Sequence, residues 1–300
     1  MKNDKVFFIA GFLGLPIAVV ILFLLAPAML TIIISFTGLD HRLRWEYVGL
    51  ENYRRILTDP NMLLFIANTA MFVAGTLAFN VGMGLLLALI STHVIEPIGY
   101  LVRAIYLLPR VTPSVVFAFI MLWIFSPLDS GVINSTLIRI GFNPIPWTTS
   151  FPWLFLFIVN GLVGCSLGML IFTSAIKSIP SDYIIAAKVD GAPYITIIFK
   201  IIIPMIKGHI AFVTAYQTLS LITSFEYILL TLDGGPGYYT TEVWALAAFH
   251  KAFAQYSLSS QYGYAAAMTS FLMVAAAILT ILYWRAFRLR EMISQPKIEV

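Results

Sequence analysis

The sequence predicts an all-α, polytopic membrane protein with six transmembrane helices. Three observations carry this prediction. Of the 300 residues, 60% are hydrophobic and only 11% are charged, against about 25% charged in an ordinary soluble domain. The mean hydropathy is +0.92, which is more apolar side chain than one soluble core hides. The apolar residues fall into six long runs, separated by segments that hold most of the charges. The same composition excludes disorder, a collagen repeat and a disulfide scaffold, since the single Cys165 forms no intrachain disulfide.

The runs cover approximately Val6–Phe36, Met62–Ser91, Tyr100–Phe125, Phe151–Ala175, Ile210–Leu232 and Tyr264–Phe287. Each reaches the roughly 20 residues that cross a hydrocarbon core of about 30 Å. The first is long enough to tilt or to extend beyond the bilayer, and Pro16 and Pro27 are its expected kink points. It exceeds the apolar core of a signal peptide and no small-residue cleavage site follows, so it is read as a retained helix. The third run contains Arg110, and the fifth contains Glu226, the one acid clearly inside a span. No segment between spans exceeds about 35 residues, too short for a folded soluble domain of typical size. The whole of 1–300 is therefore read as a single transmembrane domain.

Six spans put both termini on one side of the membrane. With the N-terminus inside, the cytoplasmic segments carry eleven Lys and Arg: Lys2, Lys5, Arg103, Lys177, Lys188, Lys200, Lys207, Arg285, Arg288, Arg290 and Lys297. The outer segments carry six: Arg42, Arg44, Arg54, Arg55, Arg139 and Lys251. The balance favours N-in, C-in. The tail with Arg285, Arg288 and Arg290 marks the inner face by attracting anionic lipid. So few charges do not suit nucleic acid. No Gly-Lys dipeptide occurs, so the chain has no Walker A phosphate loop. The four His show no ligand spacing, and no metal site is indicated.

The strongest local signal lies between the fourth and fifth spans, at Ile179–Pro204. Ile179-Pro180-Ser181-Asp182 reads as a helix start with Ser181 or Asp182 as cap. A short helix through Tyr183, Ile184, Ala186, Ala187 and Lys188 follows, and Asp190-Gly191 breaks it, Gly191 supplying the positive φ of a sharp turn. A second helical stretch runs to Pro204. Small residues beside a turn let another surface approach closely, so this helix–turn–helix suits docking into a partner's cleft. The plain alternative is an ordinary connecting loop.

This segment resembles the coupling-loop signature of permease subunits of binding-protein-dependent ABC importers, which reads Glu-Ala-Ala, three residues, Gly, then a fixed gap to Pro. Ala186-Ala187, Asp190-Gly191-Ala192 and Pro204 fall at the matching positions, and Ile185 stands where the signature has Glu. The resemblance covers roughly Tyr47 to Phe287 and is close to the carbohydrate-importer branch of maltose and glycerol-phosphate type. Its further pieces are Tyr47-Val48-Gly49-Leu50-Glu51-Asn52-Tyr53, Asn68-Thr69, Leu107-Leu108-Pro109 with Pro113, Gly131-Val132-Ile133-Asn134 and Gly234-Gly235-Pro236. Each piece alone is weak, but six in the same order at matching distances are specific.

The resemblance implies the type I importer permease fold with a cytoplasmic coupling helix, and a half-permease of an ATP-driven importer of a sugar or related solute. Its implied partners are a second permease subunit, two cytoplasmic ATPase subunits and an external solute-binding protein. It implies no catalytic residue and no cofactor in this chain, ATP and Mg belonging to the ATPases. Ala186, Ala187, Asp190, Gly191 and Ala192 would contact an ATPase. The absence of the acid at Ile185 favours a different, rather than identical, second permease. The class-level rival is a self-sufficient secondary transporter or channel.

The residues also mark a polar path. On the fifth span Gln217, Ser220 and Ser224 have the spacing of one helix face, with Tyr216 and Thr223 beside it. On the fourth, Asn160 and Gly164 are one turn apart, with Gly161 and Gly168 near the same face. Amides do not face lipid without cost. Two readings stand, solute contact or close helix–helix packing. In maltose-type relatives the sugar contacts lie on these two spans, which implies Asn160, Gly164, Gln217, Ser220 and Ser224, with Tyr216 or Tyr227 supplying an aromatic face. Phe225-Glu226 matches that branch's Phe-Asp pair, and Glu226 reads as an acid that fixes the outer gate. Gly164-Cys165-Ser166-Leu167-Gly168 fits the nucleophile-elbow pattern, but that pattern needs a strand-to-helix turn and here lies within a membrane helix.

Overall fold

The computed structural model describes residues 12–253 and 260–287. Lys2, Lys5, Arg288, Arg290 and Lys297 of the topology argument, and the start of the first run, lie outside them. Among the described residues the only β pairing is an isolated antiparallel bridge between Thr37 and Tyr47. Everything else regular is helical.

Among the described residues four helices are long and apolar enough to cross a membrane: α1 (Phe12–Ser35), α3 (Met62–His93), α7 (Pro152–Lys177) and α13 (Tyr262–Ala286). Between them lie α2 (Glu51–Thr58), α4 (Glu96–Val111), α5 (Ser114–Ile124) and α6 (Val132–Arg139). After α7 come α8 (Ser181–Val189), α9 (Tyr194–Met205), and α10 (Lys207–Ile222), α11 (Glu226–Thr231) and α12 (Trp244–Ala252). The pairs α4/α5 and α9/α10 each qualify as a bent span, and counting each pair once gives six.

Two of the spans depart from straight helices, one at a proline and one at hydroxyl side chains. The third run is not the continuous helix over 100–125 that its hydropathy predicts. It bends by 106° between α4 and α5, because Pro113 forces Thr112 into an extended conformation with ψ 135°. The fifth run is likewise not one helix over 210–232. α10 starts ahead of it at Lys207, after a 68° bend from α9, and within the run the chain leaves the helix at Thr223–Phe225 before α11 begins. Ser224 N–H turns back to the Leu221 carbonyl at 3.1 Å, and Thr223 Oγ1 bonds the Ser220 carbonyl at 3.2 Å. Hydroxyl side chains that bond nearby carbonyls compete with helix continuation. α1, in contrast, runs through Pro27 because a π-turn at Ile21–Leu25 precedes it. α9 uses the same device at Ile198–Ile202, ahead of Pro204.

The chain forms two compact units, one of Met1–Leu63 with Ala247–Val274 and one of Leu64–Leu246 with Ala275–Val300. In the first, buried Asn52 on α2 donates to the Ser35 and Thr37 carbonyls at 2.9 and 2.8 Å. Ser35 and Tyr53 hydroxyls pair at 2.7 Å. Gly263 opens α13 against the Thr37 carbonyl, where any side chain would overlap.

In the second unit, α3 and α7 pack closely through glycines. A Cβ on Gly84 would stand 2.9 Å from the Cys165 carbonyl oxygen and 3.1 Å from Gly168 Cα, so both backbones are already in contact. Side chains on Gly75 and Gly161 would run into the Phe157 and Phe79 rings. Asn68 on α3 donates to the Tyr239 and Glu242 carbonyls at 2.9 and 3.0 Å, and Thr69 accepts from the Trp244 amide at 2.9 Å. The loop carrying Gly234-Gly235-Pro236 is thereby moored to α3. Asn134 on α6 is fully buried. It donates to the Ser126 and Ile145 carbonyls and accepts from the Ile145 amide and Trp147 indole, all at 3.0–3.1 Å.

Candidate functional site

Two places in the second unit gather the residues singled out in the sequence. The first is α8 and its turn. No side chain caps its start, so the expected Ser181 or Asp182 cap is not made. Pro180, with ψ 130°, precedes the helix and Ser181 is its first residue, because a proline already holds the chain extended at that point. Its end is a Schellman closure. Ala192 N–H reaches the Ala187 carbonyl at 2.9 Å, Gly191 N–H reaches Lys188 at 3.1 Å and Asp190 N–H reaches Ala186 at 2.9 Å. Gly191 has φ +74°, the left-handed value this closure requires, and a Cβ there would meet nothing within 4 Å. The glycine answers a backbone need, not a lack of space.

One side of this element is seated and the other is free. Ile184, Ala187 and Ala192 pack on a buried cluster of Ala88, Phe172, Ile176, Ile197, Ile202 and Val213. That cluster draws on α3, α7, α9 and α10. Tyr183, Ile185, Ala186, Val189 and Asp190 are exposed, Val189 at 82%. The seated side thus joins α8 to four helices through close-packed side chains. Beside it, Lys177 pairs with Glu96 at 3.1 Å, joining the end of α7 to the start of α4, and His93 stacks on Tyr194 at 4.0 Å between centroids.

The second place is a buried polar node. Asn80 on α3 donates its side-chain amide to the Gln217 carbonyl oxygen on α10, and Gln217 donates to the Gly164 carbonyl on α7 at 3.1 Å. Gly164 lacks a side chain because the Asn80 amide occupies that space. Asn160 is buried one turn earlier on α7. The Gln217 amide is engaged on both its oxygen and its nitrogen by the protein itself. The structure therefore brings Gln217, Gly164 and Asn160 into the interior where α3, α7 and α10 meet. Asn80 was not singled out in the sequence, although an amide in the middle of an otherwise apolar run is the signal that marks it.

Ser220 and Ser224 are placed differently. Ser220 is exposed on α10. Ser224 lies beyond the end of α10, so the single helix face expected for Gln217, Ser220 and Ser224 ends at Ser220. The break at Thr223–Phe225 is the reason. Ser166 of the Gly-x-Ser-x-Gly pattern is fully buried inside α7 and donates to the Val163 carbonyl at 2.7 Å.

The described residues thus hold four to six apolar spans, two of them bent, with a buried polar node and a seated helix–turn that leaves one face exposed. Comparison with known proteins identifies the class. Residues 80–288 match the family described as binding-protein-dependent transport system inner membrane component. The probable ABC transporter permease protein YesP of Bacillus subtilis is 30% identical, over 95% of this chain and 91% of its own. The trehalose/maltose transport system permease protein MalF of Thermococcus litoralis is 27% identical over 92% of both chains. The diacetylchitobiose uptake system permease protein NgcF of Streptomyces coelicolor is 28% identical over 95% of this chain and 84% of its own. Among solved structures, a bacterial ABC transporter that imports the acidic polysaccharide alginate shares the fold, with TM-score 0.78, 23% identity and 98% coverage of both chains. This chain belongs to the family and is a membrane-spanning permease subunit of an ABC importer. The alternative of a self-sufficient secondary transporter or channel gives way to that membership.

Proposed function

We propose that the chain forms one half of the translocation path for a sugar or related polyhydroxylated solute. Two cytoplasmic ATPase subunits would grip α8 and its turn, and a solute-binding protein would deliver cargo from outside. ATP and Mg would be held by the ATPases, and no catalytic group is assigned to this chain. The termini would lie in the cytoplasm, which puts α8 on the ATPase side. The sugar assignment draws on what relatives are named for: diacetylchitobiose uptake, sulfoquinovosyl glycerol transport and trehalose/maltose transport.

The observation that carries the proposal is α8 itself. Ala186, Asp190 and Gly191 present a free face, while Ala187 and Ala192 rest on the cluster that joins four helices. Closure of the ATPases would displace α8 and tilt those helices together. Coupling is then the difference in ATP and solute affinity between the two pore states. Ile185, 54% exposed, offers an apolar contact where the family's signature has an acid. This supports a second permease subunit of different sequence that makes the charged contact.

For the buried node, the contacts favour packing over solute contact at Gln217, whose polar atoms are already used. Asn160 and Gly164 share that interior. The deciding experiment isolates the tagged chain from its own membranes in mild detergent, identifies co-purifying subunits by mass spectrometry and assays ATPase activity. An ATPase partner with activity stimulated by a loaded binding protein is expected. If crosslinking in intact membranes also captured no ATPase, the proposal would fail.

A further inference from the structure

At the corner where α3 ends and α4 packs on α7, two cations share one aromatic ring. The Arg103 guanidinium lies 4.6 Å from the centroid of Tyr100, and the Lys177 ammonium 5.8 Å from it. Glu96, Tyr100 and Arg103 stand at i, i+4 and i+7 on α4 and so share one face. Lys177, the last residue of α7, joins that face by pairing with Glu96 at 3.1 Å. All of these residues belong to the second unit.

The corner is held in place by its surroundings. Gly99 is buried on α4, and a Cβ there would overlap the Ser91 carbonyl oxygen in the last turn of α3. This close approach lets Arg103 Nη1 donate to that carbonyl at 3.2 Å, one of those a helix end leaves without an intrahelical partner. Val102, Tyr106 and Leu107 pack α4 against Leu87 of α3 and Cys165 and Met169 of α7. Arg103 and Lys177 are thus positioned by a carbonyl and a carboxylate. One bond each leaves most of their donors for a further acceptor, since a guanidinium has five and an ammonium three. One acid against two cations also leaves a surplus of one positive charge. The corner is open, with Tyr100 59% exposed and the Lys177 side chain 46% exposed.

What adjoins the corner points to its occupant. Ile98, Leu101, Ile105 and Leu108 are exposed along another side of α4, three or four residues apart. This apolar strip starts beside Tyr100 and runs along the span, as suits hydrocarbon. A tyrosine flanked by cations at the end of such a strip is the pattern of a membrane–water boundary. We infer that Arg103, Lys177 and Tyr100 form a site for the phosphodiester headgroup of an anionic phospholipid, whose acyl chains lie along the Ile98–Leu108 strip. The phosphate oxygens accept from the guanidinium and the ammonium in charge-assisted bonds. The surplus charge selects a lipid of net negative charge over a zwitterionic one. The bound lipid joins the start of α4 to the end of α7. Ile176, next to Lys177, is part of the buried cluster on which α8 rests, so occupancy braces the floor of that helix.

The test uses the assembled complex in nanodiscs of phosphatidylcholine with a minor fraction of phosphatidylglycerol. Part of the phosphatidylglycerol carries a photoactivatable group near its headgroup, and crosslinked peptides are mapped by mass spectrometry. Crosslinks are expected to concentrate on the start of α4. Their yield should fall roughly fivefold for each cation removed in Lys177→Gln and Arg103→Gln, and less in Arg103→Lys, which keeps the charge. Arg285→Gln, which removes an exposed cation at the end of α13, should leave the yield unchanged. Arg103→Gln also loses the Ser91 bond, so its unfolding temperature is measured alongside. Should that variant not fold, Lys177→Gln carries the test, because Lys177 is exposed at a helix end. Crosslinks spread over the apolar surface, or an equal fall in Arg285→Gln, would reduce the effect to diffuse attraction and overturn the inference. Equal yields with a photoactivatable phosphatidylcholine would overturn the anionic class. Loss of the crosslink on adding inorganic phosphate would make this a site for soluble phosphate and overturn the lipid assignment. The readout needs neither transport nor ATPase activity, so its failure and the failure of the importer reading are distinguishable.

Discussion

Asn80 on α3 and Gln217 on α10 are joined by a side-chain amide hydrogen bond whose other end is the Gly164 carbonyl on α7. Three helices that are far apart in sequence thus share one chain of amide contacts in an apolar interior. Hydrogen bonds in low dielectric are strong when complete, and costly when one partner is removed.

That asymmetry gives the first prediction. Gln217→Ala or Asn80→Ala leaves a buried amide without its partner and should destabilise the complex by about 1–3 kcal/mol. The double variant Asn80→Leu with Gln217→Leu should recover much of this loss, because neither partner is then orphaned. Thermal unfolding of the purified complex, arranged as a double-mutant cycle, reads the coupling. Additive effects would show that the amide bond contributes nothing to stability.

The node also holds unpaired atoms, the Asn80 Oδ1 and the hydroxyl of Thr76. Thr76 lies one turn before Asn80 on α3, and its hydroxyl is buried with no hydrogen-bond partner. Thr76→Val keeps the shape and removes the unpaired group. Stability should rise by about 1 kcal/mol, the low end of the cost of an orphaned hydroxyl. A lowered unfolding temperature would show that the hydroxyl has a role.

Gly84 is set by backbone contact with Cys165 and Gly168. Gly84→Ala has nowhere to place a methyl group without separating α3 from α7, since a carbonyl oxygen and a Cα cannot rotate away. A loss of about 1–3 kcal/mol is expected, typical of overpacking. Gly82, on the same helix with open space around it, is the control. Gly82→Ala should be neutral or slightly stabilising. Equal behaviour of the two variants would refute the close-contact argument.

Much of this architecture was readable because hydropathy reports burial in lipid directly. α1, α3, α7 and α13 fall where the apolar runs predict them. The bends at Pro113 and Thr223–Phe225 were hidden because hydropathy averages over a window and ignores backbone geometry. Pro27 shows why a proline alone does not signal a bend, as a π-turn absorbs it within α1. Asn52, Asn68 and Asn134 could be picked out as pieces of a family pattern. Their work as loop moorings depends on carbonyls up to 174 residues away, which no local pattern reveals. Asn80 stands out locally as an amide in an apolar run, but its partner Gln217 lies 137 residues away on α10.

Gly191 offers the prediction that separates coupling from stability. Its φ of +74° is costly for any residue with a Cβ, while the space around it is open. Gly191→Ala should therefore strain the Schellman turn by about 1 kcal/mol. That is too little to unfold a complex held by four packed helices, but enough to change how Ala186 and Asp190 are presented. Gly191→Asn should be milder, because asparagine tolerates the left-handed conformation better than alanine. If the turn serves ATPase docking, binding-protein-stimulated ATPase activity should fall in the order Gly191, Asn, Ala, with unfolding temperatures nearly unchanged. A different outcome would weigh against coupling. Were Ala and Asn to lower thermal stability in step with activity, the turn would be holding α8 on its cluster and no more. The strain sits on the free side of α8, whereas the contacts that hold the helix are Ile184, Ala187 and Ala192 on the seated side. This placement is why the two readouts are expected to part.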